Sequence, residues 1–385
     1  MTRGKGQSPE RVYCSRCIYS TDIEGIYFDK NGECQYCKEV DDLRIQFGTG
    51  TEKGASMWKD MLWKIKKRGR RNKYDCIIGV SGGTDSSYLV HLAKNDWGLR
   101  PLAVHYDNTW NSAVATCNIY EILTALNVDL YTHVVNNKEI DDIYRAFFMA
   151  GVPELGATDD LAYACMLRQI AALYGIRYII EGHSFVEEGI SPISNNYIDG
   201  KYIKEVYGRY GSRALETYPL LTFSSFLKSL IIDRPVFVRP YWYLEYDKIR
   251  ARETLAKEYG WTYYGGHHLE NRLTAFCHNI YLPRKFGVDF RNLTLAANAR
   301  SGKLTREEAL AQYNMCLKEN KSLKRYFCQR IGITDSEFEK IMREKPVSHD
   351  TFPNYKNRFR RLKPLFFLMA KLNLVTMSFY RKYCR

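Results

Sequence analysis

Val80-Ser81-Gly82-Gly83-Thr84-Asp85-Ser86-Ser87 follows the apolar run Asp75-Cys76-Ile77-Ile78-Gly79 and opens a helical pattern through Leu89, Val90, Leu92 and Ala93. Two adjacent glycines let backbone come close to an anion, and the start of a helix presents unpaired N–H groups at a positive dipole end. The hydroxyls of Ser81, Ser86 and Ser87 add donors. The stretch has no Gly-Lys-Ser/Thr, so it is not a Walker loop, and no G-x-G-x-x-G, so it is not a dinucleotide fingerprint. Working outward, β-rich apolar runs recur at 101–106, 130–135 and 178–181, separated by helix-length segments. Strands alternating with helices predict an α/β fold, a doubly wound, Rossmann-like parallel sheet.

The 385 residues suffice for two or three domains with a sizeable core. We read 1–50 as a metal-binding module, 51–235 as the nucleotide-binding domain and 236–385 as a mainly helical region for substrate or partner. A hydrophobic content of 45% and a charged content of 26% exclude disorder along most of the chain. No apolar run is long enough to span a membrane, and Met1-Thr2-Arg3-Gly4-Lys5-Gly6 has no apolar core behind its charges. The expected location is the cytoplasm.

A net charge of +14 favours phosphate-bearing partners. The charge is clustered: 64–73 holds seven basic residues and 355–385 holds nine, neither with an acid. Basic and apolar residues mix from Leu365 to Lys382, so peripheral contact with a membrane surface is one reading and a core or partner-docking helix the other.

Cys14-x2-Cys17 is followed, sixteen residues later, by Cys34-x2-Cys37. Two such pairs at this separation are a zinc pattern, because four thiolates must converge on one tetrahedral ion. Gly25-Ile26-Tyr27-Phe28-Asp29-Lys30-Asn31-Gly32 between them reads as a strand and an Asn-Gly hairpin turn, giving a zinc-ribbon-like module. Four protein ligands leave no open position, so the expected zinc is structural. The other seven cysteines are isolated.

The run SGGTDSS resembles the pyrophosphate loop of the PP-loop ATPases, which cut ATP between the α and β phosphates. The resemblance assigns ATP binding to Ser81, Gly82, Gly83, Thr84, Asp85, Ser86, Ser87 and, at the end of the second strand, Asp107. Magnesium is expected with the triphosphate. Asp85 and Ser81 are candidate catalytic residues.

Three later blocks narrow the reading: Ile180-Glu181-Gly182-His183 with Glu187-Glu188-Gly189, Tyr264-Gly265-Gly266-His267-His268-Leu269-Glu270-Asn271, and Leu282-Pro283-Arg284-Lys285-Phe286-Gly287-Val288-Asp289-Phe290-Arg291. With the cysteine block, in this order, they resemble the N-acetyl sugar amidotransferases of bacterial surface-polysaccharide (O-antigen and nonulosonic acid) biosynthesis. The resemblance implies conversion of an acetamido group on a nucleotide-activated sugar to an acetamidino group, with AMP and pyrophosphate as products. Glu181 and His183 follow a strand end, where open α/β sheets place ligands, and a base there could take a proton from ammonia. Glu187, His267, Asn271, Arg284, Lys285 and Arg291 are candidate substrate-binding residues, since Arg suits phosphate and carboxylate.

Neither a cysteine beside Met1 nor Gly-x-Cys-x-Gly is present, so no glutaminase site is visible. The ammonia would come from a partner glutaminase subunit working with a cyclase-like barrel subunit, a pair resembling imidazole glycerol phosphate synthase. No nucleic acid partner is expected. The competing reading is a PP-loop tRNA-thiolating enzyme, which accounts for the charge and the cysteine module but lacks a catalytic cysteine pair. A non-enzymatic zinc-ribbon module with a dead nucleotide loop is the third.

Overall fold

The computed structural model describes residues 11–192, 197–266, 269–317, 320–371, 375 and 377–384. Five strands form one parallel sheet: β1 Cys76–Gly79, β2 Pro101–Asp107, β3 Leu130–Val134, β4 Tyr178–Ile180 and β5 Val236–Val238, in the order β3-β2-β1-β4-β5. The expected doubly wound sheet is therefore present. Its edge strand β5, from a segment read as helical, lies past the boundary placed at 235.

The sheet is buried on both faces, which is why its central strands read as continuous apolar runs rather than as alternation. Side chains still alternate between faces. Ile77, Leu102, Val104 and Ile179 enter one core, while Cys76, Ile78, Ala103 and Ile180 enter the other. The second core is closed by α2 Glu52–Gly69, α3 Thr84–His91, α4 Ala113–Ala125 and α9 Lys248–Tyr259. The first is closed by α5 Asn137–Ala150, α6 Ala157–Leu173 and α7 Gly200–Tyr210. The C-terminal helices α10 Arg272–Phe276, α11 Leu282–Phe286, α14 Lys321–Ile331 and α15 Asp335–Arg343 join that same core. There Phe276 stacks on Phe327 with ring centroids 3.6 Å apart.

Two smaller cores flank this body. One gathers the cysteine module, with α1 Gln35–Phe47, against α12 Arg291–Ser301 and α13 Arg306–Asn314. The other unites α8 Phe223–Lys228 with α16 Lys356–Arg361, α17 Lys363–Lys371 and α18 Met377–Cys384. The C-terminal region is thus helical, as expected. No helix among the described residues is long and apolar enough to cross a membrane.

Helix starts are signalled locally. Ser112 caps α4 by accepting from the Ala115 N–H, and Asp247 caps α9 by accepting from the N–H groups of Ile249 and Arg250. Thr305 with Glu308, and Thr334 with Glu337, are reciprocal capping boxes. The strand expected between the cysteine pairs does not form. The described residues there make only isolated bridges, Tyr13 with Ser20 and Phe28 with Cys34. The turn after Phe28 is tight: Asp29 Oδ1 accepts from the N–H groups of Asn31 and Glu33, and the Asp29 N–H donates to the Glu33 carbonyl.

Candidate nucleotide site and cysteine centre

The strand order reverses direction between β1 and β4, so the crevice above their C-terminal ends is where an open sheet places its ligand. Residues 81–83 rise from β1 and residues 181–183 from β4. The two segments touch, since a Cβ on Gly182 would lie 3.1 Å from the Asp85 backbone.

Gly82 has a φ of +77°, and a Cβ there would fall 2.1 Å from the carbonyl oxygen of Ala115 in α4. Both facts require glycine. Its own carbonyl accepts from Asn118 Nδ2 and Trp261 Nε1, each at 3.2 Å, so the bend is pinned from behind. Gly83 then caps α3 with no side-chain capping bond. Inside the loop, Ser81 Oγ accepts from the Gly83 N–H, and Ser86 Oγ accepts from the Ser81 N–H. Thr84 and Ser87 are buried, the Thr84 N–H donating to Tyr264 Oη at 3.4 Å. An anion arriving at the start of α3 would displace these weak internal contacts.

The side chains around the loop come mostly from elsewhere. Lys248, the first residue of α9, donates to Asp85 Oδ2 at 2.6 Å, and Tyr246 donates to Oδ1 at 2.5 Å. Burial lowers the Lys248 pKa, but Asp85 and Glu188 more than offset it, so the ammonium stays charged. Arg252, one turn on, reaches Thr84 Oγ1 at 3.3 Å and lies over the Tyr263 ring. Glu270 Oε1 is 3.2 Å from where a Gly83 Cβ would sit. Sequence reading missed Lys248, Arg252, Tyr246 and Glu270. The only local signal was two cations four apart behind the Asp247 cap, which marks a helix face but not what it faces.

The β4 loop holds the other candidates. Glu181 Oε2 accepts from Arg239 Nε and Nη2 at 2.9 and 2.8 Å, while Oε1 has no hydrogen-bond partner among the described residues. Trp242 Nε1 donates to His183 Nδ1 at 3.3 Å, which assigns the proton of the neutral ring to Nε2, 3.6 Å from Glu188. Burial, then the Arg239 charge, push the His183 pKa down to about 4. The neutral ring turns its Nε2–H toward Glu188. Glu187 is buried and pairs with Lys303, which makes it an anchor of the loop rather than a lining group.

At the end of β2, Asp107 Oδ1 accepts from the Thr109 N–H at 2.7 Å and closes a turn in which Thr109 has a φ of +60°. Asn111 donates to His105 Nε2, so His105 Nδ1–H donates to the Val80 carbonyl. Asn271 is bound at both ends: Nδ2 donates to Asn108 and Asn111, and Oδ1 caps α10. This ties residue 271 to the loop's neighbourhood but leaves its amide no group for a substrate.

The basic motif at 284–291 is turned to structural work. Lys285 is buried and donates to the carbonyls of Ile341 and Glu344. Arg284 pairs with Glu339 at 3.0 Å, and Arg291 clamps Asp289 and three carbonyls of residues 312–315. All five of these candidates, Glu187 and Asn271 included, hold protein partners here: Asn271 and Arg291 through every side-chain polar atom, Glu187, Arg284 and Lys285 through part of theirs. His267 and His268 lie outside the described residues.

Cys14, Cys17, Cys34 and Cys37 are all fully buried, and their Sγ atoms lie within 4.8 Å of one another. Three of the separations are 3.8, 3.8 and 3.6 Å. Tetrahedral thiolates at ~2.3 Å from one zinc ion stand about 3.8 Å apart, so the residues fit one such ion. A four-iron cluster binds each thiolate to a different corner and would hold the sulfurs farther apart.

Comparison with known proteins adds the following. Residues 270–365 match the model of the family described as LPS biosynthesis protein WbpG-like, C-terminal domain. An uncharacterized protein of Methanocaldococcus jannaschii is 27% identical over 171 residues, 44% of this chain. The match spans 58% of that relative's length. Among solved structures, the NH3-dependent NAD synthetase from Campylobacter jejuni is 14% identical at a TM-score of 0.33, over 75% of this chain and 96% of that one. The NMN synthetase from Francisella tularensis is 14% identical at 0.27, over 68% and 98%. The U34-tRNA thiolase NcsA from Methanococcus maripaludis, with its 4Fe–4S cluster, is 10% identical at 0.31, over 84% and 99%.

Proposed function

We propose that the chain is an ATP-dependent, AMP-forming amidotransferase that converts an acetamido group of a nucleotide-activated N-acetyl sugar to an acetamidino group, in lipopolysaccharide or O-antigen biosynthesis. The observation that carries the ATP half is the strand–glycine–helix bend at 79–84, set at the sheet's reversal point with Lys248 and Arg252 beside it. The match of 270–365 to a lipopolysaccharide-biosynthesis family supports the substrate class.

In this reading the N–H groups at the start of α3 and the hydroxyls of Ser81 and Ser86 hold the β and γ phosphates as the departing pyrophosphate. Lys248 and Arg252 supply fixed positive charge against it. Magnesium would neutralise part of the triphosphate, with Asp85 and Glu270 the carboxylates bordering the loop. The amide oxygen attacks the α-phosphorus and pyrophosphate leaves. Ammonia then adds to the imidate carbon, and AMP departs with the former amide oxygen. Glu181, with Oε1 open and Oε2 held by Arg239, takes the proton that ammonia sheds. The ammonia comes from a partner glutaminase with a cyclase-like barrel. The cysteine quartet binds structural zinc.

The test is incubation with ATP, ammonium and a panel of activated N-acetyl sugars, followed by mass spectrometry. One sugar should become lighter by the difference between O and NH, with equimolar AMP. Pyrophosphate release with no sugar changed would leave an AMP-forming enzyme of another substrate; no release at all would end the proposal.

A further inference from the structure

Arg300, near the end of α12, is 7% exposed. Its Nε lies 3.4 Å from Cys37 Sγ and its guanidinium 5.6 Å over the Tyr19 ring. Nη1 and Nη2 are buried with no hydrogen-bond partner, and no carboxylate pairs with it among the described residues. A buried guanidinium needs a counter-charge. Four thiols supply none, whereas four thiolates around one divalent ion leave a net charge of −2, the one anionic group the described surroundings can offer.

The same unit grips the β4 loop from three sides. Tyr19, two residues past Cys17, donates to the Ile190 carbonyl at 2.9 Å. Lys303, just beyond α12, pairs with the buried Glu187. The Leu293 carbonyl, in the first turn of α12, lies 3.1 Å from where a Gly189 Cβ would be, and Gly189 has a φ of +81°. The C-terminal end of α12 therefore rests on the sulfurs through Arg300 and on the β4 loop through Lys303, and its N-terminal end meets the same loop at Gly189.

We propose that metal occupancy of the cysteine centre sets the position of the 184–190 segment of the β4 loop, and that Arg300 is the positioning residue through which it does so. The thiolate charge holds the guanidinium, the guanidinium holds α12, and α12 with Lys303 holds the loop. This rests on the reading of the quartet as a metal site.

The test uses the full chain, zinc-loaded and chelator-stripped, with zinc quantified and amide hydrogen exchange followed at 184–190 and at α3. Stripping should raise exchange at 184–190 by about tenfold or more while α3 stays protected. Arg300→Met, still holding zinc, should show the same rise in part and release zinc faster to a colorimetric chelator; Arg300→Lys should restore protection in part. If Arg300→Met does not fold, Tyr19→Phe removes only the hydroxyl on Ile190 and should loosen that end of the segment. A chain that binds one zinc yet shows identical exchange at 184–190 when stripped, or in the variant that folds, overturns the coupling alone. A chain that takes up no metal overturns the metal reading, and the coupling with it.

Discussion

The bend at 81–87 and the basic run at 284–291 look equally functional as strings of residues, yet the fold treats them in opposite ways. The first holds its working groups, backbone N–H groups at a helix start, only through long contacts of 3.2–3.4 Å to hydroxyls. The second directs every cation to a protein partner: Lys285 to two carbonyls, Arg284 to Glu339, Arg291 to Asp289. A motif made of backbone geometry carries its function with it. A motif made of long charged side chains does so only if the fold leaves those side chains unclaimed.

The largest expected effect breaks the first region. Gly82→Val meets both a φ of +77° and the Ala115 carbonyl, so pyrophosphate release should fall to background. Turnover within severalfold of wild type would show that the bend does not hold phosphate. Next comes Lys285→Met, which strips the buried Ile341 carbonyl and the part-buried Glu344 carbonyl of their donor and should cost about 1–3 kcal/mol, read as a fall in Tm, with ATP affinity unchanged. A variant with a normal Tm and a raised sugar KM would return Lys285 to the substrate.

Between the two regions lies His183. Its folded pKa of about 4 is below the ordinary 6.5, so the unfolded chain binds the extra proton between those values and the folded chain does not. Stability should therefore fall as pH drops from about 6.5 toward 4, and His183→Gln should flatten part of that fall in Tm measured across the window. The smallest effect is expected from Arg284→Ala. Its pair with Glu339 is partly exposed, so stability should change by about 0–1 kcal/mol, with no change in turnover. A large loss of turnover there would mean that Arg284 leaves Glu339 for a ligand.

Reading outward from residue 82 recovered the strand–bend–helix, four of the five strands and the cysteine quartet. It missed β5, a three-residue edge strand too short to show a period, and in the cysteine module it extended to a strand what is only the Phe28–Cys34 bridge beside the turn at 29–33. Among site residues, Glu187, Asn271, Arg284, Lys285 and Arg291 were legible as polar but not as engaged, while Lys248, Arg252 and Glu270 gave no cue of their nearness to the loop.

The chain by itself settles what depends on neighbours a few residues apart: where glycine must turn, where a helix starts, and which thiols can share one ion. Those are consequences of short-range sterics and hydrogen bonding. Only the tertiary structure decides which charged group meets which. Lys248 reaches Asp85 across 163 residues, Lys303 reaches Glu187 across 116, and Arg300 reaches Cys37 across 263. A flexible, charged side chain has no preferred partner until the packing of the core brings one within reach and takes the competing water away.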